Sequence, residues 1–174
     1  MPIVEVVDYD PSWPALFDAE CALLHRTLGE VAIAIHHIGS TAVPGLAAKP
    51  IIDILMEVAD LNALDAAAGG MARIGYAAKG EYGIPGRRYF PKGGERRTHH
   101  VHAFASGDVG LFRHLAFRDH LRAHPAVARD YGRLKRSLAL SCGNDLSRYC
   151  DGKDAYVKAL EAAAMREAKP DQRG

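Results

Sequence analysis

One aspartate interrupts an otherwise apolar stretch, Ile51-Ile52-Asp53-Ile54-Leu55-Met56. A carboxylate among such neighbours is costly to bury unless it is paired or holds a cation. Magnesium, which takes one or two carboxylates together with phosphate oxygens, would satisfy it. Upstream lies Gly39-Ser40-Thr41, with Lys49 between it and Asp53. Gly39 lets backbone amides approach a phosphate, and Ser40 and Thr41 add hydroxyl donors. Lys49 adds a positive charge. A plainer reading stands beside this one: Gly39 to Gly45 is a tight turn, and Asp53 pairs with Lys49.

The segment Thr98-His99-His100-Val101-His102-Ala103 carries the second chemical signal. Side chains alternate across a strand, so His100 and His102 share a face while Val101 and Ala103 face the core. Two imidazoles at this spacing can share one metal, and neutral imidazole favours transition ions over magnesium. With Asp53 they make a set of two nitrogens and one carboxylate with positions left open. Three roles stay open for the pair: metal ligation, direct contact with substrate or phosphate, and structural packing. Arg87 and Arg88 follow Ile84-Pro85-Gly86, a rigid turn, and guanidinium forks suit phosphate. Arg118 shares a helix face with His114 and Arg122, and Tyr131 and Lys135 repeat the four-residue spacing. That stripe is either the wet side of an amphipathic helix or the lining of a pocket over the sheet.

These residues need elements to position them. Ile3 to Val7 reads as an edge strand, 15–28 as a helix, Val31 to Ile38 as a strand, and Gly39 to Pro50 as a loop containing a short helical turn. Ile51 to Val58 is a central strand and Asn62 to Ile74 a helix. Tyr76 to Glu81, Arg88 to Pro91 and Thr98 to Ala105 are strand candidates separated by Gly and Pro turns. From Gly110 the pattern is helical, at about 110–123, 125–141 and 151–168. The expected fold is α+β, a mixed or antiparallel sheet backed by helices, with C-terminal helices. Residues 1–168 form one domain in this reading, and 169–174 a frayed tail.

Composition narrows the partners. In 174 residues, 22 basic and 21 acidic side chains leave a formal charge of +1, which argues against bulk nucleic-acid or membrane-surface binding. Cys21, Cys142 and Cys150 form no C-x-x-C pair, so a disulfide framework or thiolate zinc site is not expected. They read as small buried hydrophobes. No signal peptide or membrane span is legible, and a cytoplasmic location is the expectation.

The string His37-Ile38-Gly39-Ser40-Thr41-Ala42-Val43-Pro44-Gly45-Leu46-Ala47-Ala48-Lys49-Pro50-Ile51-Ile52-Asp53-Ile54 resembles the signature of the GrpB family. So do Val6 to Pro14, Ile84 to Phe90, Arg97 to His102, and Arg113 to Arg122, in the same order. The family is placed with the nucleotidyltransferases, alongside DNA polymerase beta and the stringent-response synthetases. Members also occur fused to dephospho-coenzyme A kinase. The resemblance implies a nucleotidyltransferase-like fold without naming a substrate. This chain departs from the superfamily where it matters. The usual Asp-x-Asp is Asp53-Ile54-Leu55 here, and Glu57 stands roughly 13 Å along the strand, too far to share an ion with Asp53.

The reading is a domain that binds a phosphate-containing small molecule, expected to be a nucleotide, through Gly39, Ser40, Thr41, Lys49, Arg87 and Arg88. A divalent metal (magnesium, manganese or zinc) fits Asp53, His100 and His102. If the chain catalyses, the reaction is metal-dependent nucleotidyl or pyrophosphoryl transfer, with Asp53, His100, His102 and Arg118 as the catalytic candidates. The alternative is a non-catalytic accessory domain for a nucleotide or coenzyme A precursor. A weaker alternative is a metal-dependent hydrolase built on the His-x-His pair. Oligomeric state, acceptor and nucleotide are not legible.

Overall fold

A computed structural model describes residues 3–169. Helix α1, Trp13–Leu28, starts two residues earlier than the pattern suggests, because Pro14 suits a first helical turn. It ends at Gly29. Strand β1 (Ala32–Ile38), a 3-10 turn at Ser40–Ala42 and strand β2 (Ile52–Val58) follow. The expected helix from Asn62 to Ile74 is two helices, α2 (Leu61–Ala66) and α3 (Ala68–Arg73). They break at Ala67 beside Gly69-Gly70, where helix propensity is weakest. Strands β3 (Arg88–Lys92) and β4 (His99–Ala105) come next. Three helices close the fold: α4 (Val109–Ala123), α5 (Pro125–Ser141) and α6 (Leu146–Ala168).

Two expected strands are absent. Ile3 to Val7 makes only a bridge from Val7 to Ala48, while Val4 and Val6 pack on Leu138, Cys142 and Tyr149. Tyr76 to Glu81 makes one bridge, from Tyr76 to Lys92. Its backbone still follows β3, with the Ala77 and Lys79 amides donating to the Pro91 and Tyr89 carbonyls and the Tyr89 amide donating to the Gly80 carbonyl, before the left-handed backbone at Gly80 and Tyr82 turns the chain away. Helix α6 begins well ahead of the expected position 151, because Asp145 caps it by accepting from the Arg148 amide. The expected tail falls mostly on residues outside those described.

The sheet has the order β1-β2-β4-β3. β1 and β3 run antiparallel to their neighbours, and β2 runs parallel to β4. The sheet is therefore mixed, with β2 inside it as expected. Ile52, Ile54, Met56, Val101, Ala103 and Phe90 point to one face, where Trp13, Leu24, Leu28, Leu64 and Met71 from α1–α3 cover them. Trp13 belongs to this core, its ring meeting Tyr9 edge-on. The other face is apolar at Leu55 and Phe104, which pack with Ile38 and Leu111 under α4. Helices α4–α6 share a further core, Leu121, Ala128 and Tyr131 with Tyr156 and Leu160, which also takes in Val43 and Leu46 from the β1–β2 loop. That last contact sets the C-terminal helices beside the loop carrying Ser40. Of the three free cysteines only Cys142 is buried; Cys150 is exposed, contrary to the core role expected of it. No helix among the described residues is long and apolar enough to cross a membrane.

Candidate functional site

The parallel pairing of β2 with β4 puts Asp53 directly opposite His100. Asp53 Oδ1 lies 3.4 Å from His100 Nδ1 and 3.3 Å from His102 Nε2. One ligand atom from each of the three residues falls within 4.8 Å of the others. One carboxylate and two imidazoles are a donor set that divalent transition ions accept. His100 Nε2 is buried without a hydrogen-bond partner, an orphan polar atom in the same cluster. Burial pushes the Asp53 carboxyl up, but hydrogen bonds from His100 and His102 and their charge outweigh it. The group is held well below the usual carboxylate range.

Gly39 closes one side of the aspartate. Its φ is +73°, and a Cβ built there would meet Asp53 Oδ2 at 2.7 Å. Both the left-handed backbone and the close approach exclude a larger residue. Beyond it the 3-10 turn presents Ser40, whose Oγ accepts a 2.7 Å hydrogen bond from Lys135 Nζ of α5. Lys135 is 2% exposed, and its ammonium lies 4.6 Å from the centre of the Tyr131 ring. Burial, then repulsion from Lys153 and Lys49, outweighs the attraction of Asp53 and lowers Lys135 to about 7. Lys153 of α6 is lowered as well, chiefly by burial and then by Lys49. Lys49 and Lys153 each lie near the Tyr149 ring, at 5.4 and 5.0 Å.

Ser40, Asp53, His100, Tyr149 and the three lysines line one pocket of about 120 Å³. Whole small-molecule sites occupy roughly 300–1,000 Å³, so this one has room for a phosphate-sized group. Its charge is lopsided: three lysines converge against one carboxylate.

The structure brings together Gly39, Ser40, Thr41, Lys49, Asp53, His100 and His102. Thr41 lines the pocket, and its Oγ1 also meets His37 Nε2 at 2.9 Å. His37, buried and beside Arg122, is lowered to about 4 and stays neutral. Arg87 stands behind the histidines, with Nη1 3.4 Å from His102 Nδ1. Its other nitrogens donate to the Glu81 and Tyr82 carbonyls, so its fork braces the loop. Arg88 does not reach the site. Strand alternation sends it to the opposite face, where it pairs with Asp65 at 2.8 Å. Arg118 is also outside the pocket lining; it donates to the His37 carbonyl and pairs with its neighbour Asp119. Arg122 instead donates to the Ala42 carbonyl, tying α4 to the Ser40 turn.

Sequence reading missed Lys153 and Tyr149 and left Lys135 as one residue of a polar stripe. The stripe's four-residue spacing was the only signal for Lys135. Nothing local marks Lys153, whose role depends on where α6 docks.

The fold and pocket define a class: a mixed α/β protein whose parallel strand pair carries an Asp-His-His set under a lysine rim. Comparison with known proteins makes this specific. The family profile described as GrpB protein matches residues 3–163. The chain belongs to the GrpB family. UPF0157 protein YqkA of Bacillus subtilis is 48% identical over 95% of this chain, which spans 48% of that relative's length. The dephospho-CoA kinase of Mycobacterium leprae is 31% identical over 91% of this chain and 47% of its own. The crystal structure of the conserved protein GrpB from Enterococcus faecalis aligns at a TM-score of 0.91, with 43% identity, over 94% of this chain and 98% of its own. The Cid1 poly(U) polymerase bound to MgATP aligns at only 0.47 and 11% identity over 75% of this chain and 45% of its own, too slight a likeness to transfer chemistry.

Proposed function

We propose that the pocket binds the phosphates of a nucleotide or a coenzyme A precursor. The observation that carries this reading is the convergence of Lys49, Lys135 and Lys153 on one pocket, which Ser40, Asp53 and His100 also line. Three lysines facing one another destabilise an empty pocket and favour a polyanion within it. Ser40 and Lys135 would donate to phosphate oxygens, and Gly39 lets the ligand approach the backbone closely. The base and sugar would lie outside a pocket of this size.

Asp53, His100 and His102 would hold a divalent ion, which when bound neutralises charge developing on phosphate oxygens. The lysines add to that neutralisation from the opposite side. Charge neutralisation and positioning are what nucleotidyl and pyrophosphoryl transfer chiefly require. A second reading, binding without catalysis, has its own support. Leu55, at the second position of the expected Asp-x-Asp, is 0% exposed and packed on Phe104 and Leu111. A carboxylate there would be buried in hydrocarbon, so the two-metal arrangement has no second ligand.

Calorimetry with nucleotides, dephospho-coenzyme A and inorganic pyrophosphate, each with magnesium, manganese or zinc, tests the binding. Micromolar binding that weakens at least tenfold in Ser40→Ala/Lys135→Met is expected. No binding across the panel removes the reading. Pyrophosphate release in the presence of an acceptor panel then separates transfer from binding alone.

A further inference from the structure

A second set of metal-ligand side chains lies at the far end of the helical layer, at the α4–α5 corner. His120 is in the last turn of α4, and His124 is the residue that ends it, immediately before Pro125. They are four residues apart and share a helix face, and their ring centroids stand 4.4 Å apart. Glu167, in the last turn of α6, reaches both: Oε2 lies 2.5 Å from His120 Nδ1 and Oε1 lies 2.7 Å from His124 Nε2. Ligand atoms of all three fall within 4.8 Å of one another.

We propose that His120, His124 and Glu167 form a second binding site for a borderline transition ion, zinc above all, which clamps the end of α6 to the α4–α5 corner. Three features of this cluster point the same way. The donors are two imidazoles and one carboxylate, a set that suits zinc, cobalt, nickel and copper rather than magnesium or calcium. They come from two helices that pack against each other, so the approach of the ligands does not depend on a loose chain. His120 is nearly covered, with its side chain 11% exposed, while His124 and Glu167 are 41% and 48% exposed. An ion can therefore enter from solvent without unfolding, and one coordination position stays open to water. Nothing in this cluster depends on the phosphate pocket or on Asp53.

Equilibrium dialysis with zinc tests it on four proteins: the native chain, His120→Gln/His124→Gln, Asp53→Asn/His102→Ala, and the combination. The expected result is that His120→Gln/His124→Gln loses one zinc equivalent, both alone and in the Asp53→Asn/His102→Ala background. Zinc at about 100 times its Kd should raise Tm by roughly 5–10 °C through this site. That gain should disappear in the same variants. Cobalt in the Asp53→Asn/His102→Ala protein should show the visible absorption of a tetrahedral site, lost when His120 and His124 are also replaced. Unchanged zinc stoichiometry and an unchanged Tm gain in His120→Gln/His124→Gln would overturn the proposal. So would a native chain whose whole zinc content disappears in Asp53→Asn/His102→Ala. Failure of the phosphate reading would leave these measurements unaffected.

Discussion

Lys135 is the residue whose chemistry the fold changes most. An ammonium with an ordinary value near 10.5 is brought to about 7 by burial and by two neighbouring lysines. Because the folded value lies below the unfolded one, the unfolded chain binds the proton more readily between pH 7 and 10.5. Stability should therefore rise with pH across that window, and the burial cost is felt in full below pH 7. Lys135→Met should flatten this rise and stabilise the empty protein at neutral pH by a few kcal/mol, on the order of a buried unpaired charge. Urea denaturation at pH 7 and 9 measures both effects, and a native pH slope retained in the variant would contradict them. An anion in the pocket acts oppositely, drawing the Lys135 value upward. Binding of pyrophosphate at pH 8 should take up a proton, seen as a calorimetric enthalpy that varies with the buffer's ionisation enthalpy. It should also weaken as pH rises.

At the scale of elements, glycines distinguish contacts that can give from contacts that cannot. A Cβ on Gly110, in the first turn of α4, would sit 2.5 Å from the Phe104 ring. Phe104 is 1% exposed and wedged with Leu55 and Leu111, so the ring has nowhere to go. Gly110→Ala should cost about 1–3 kcal/mol by overpacking. A Cβ on Gly152, inside α6, would meet only the end of Leu138, a flexible side chain. Gly152→Ala should be near neutral or gain up to about 1 kcal/mol from helix propensity. Thermal denaturation of the two variants checks the contrast; equal losses would argue against it.

Elements also show where sequence is informative. Alternation in Thr98 to Ala103 put His100 and His102 on one face and Val101 and Ala103 on the other, and the structure has them so. Alternation could not choose between Arg87 and Arg88, because the turn before β3 sets its phase. The Ile3 to Val7 strand failed because composition cannot tell a segment that pairs from one that packs on α5 and α6. The helix from Asn62 split where two glycines follow an alanine, a signal that was present but outweighed by the apolar spacing around it. Lys153 was not legible at all, since helix docking rather than local pattern brings it to the pocket.

On the scale of the molecule, the pocket is a junction. The β1–β2 loop supplies Ser40 and Lys49, β2 supplies Asp53, β4 supplies His100, α5 supplies Lys135, and α6 supplies Tyr149 and Lys153. A ligand held there links sheet to helices. Pyrophosphate at about 100 times its Kd should stabilise the fold by roughly 2.7 kcal/mol. Hydrogen exchange should slow in β2, α5 and the first half of α6 together. Protection confined to residues 39–49 would show that the helices take no part.

The parallel pairing of β2 with β4 also has a kinetic consequence. Joining 52–58 to 99–105 closes a long loop, and the lysine rim waits for α6 at Lys153. Contacts so distant in sequence form slowly and late in folding. A polypeptide leaving the ribosome carries Ser40 and Asp53 long before Lys153 emerges, so no intermediate that stops short of Lys153 possesses the complete pocket. In the proposed reading, phosphate affinity arises only once α6 has docked, and its appearance during refolding should track the slowest phase rather than the first collapse.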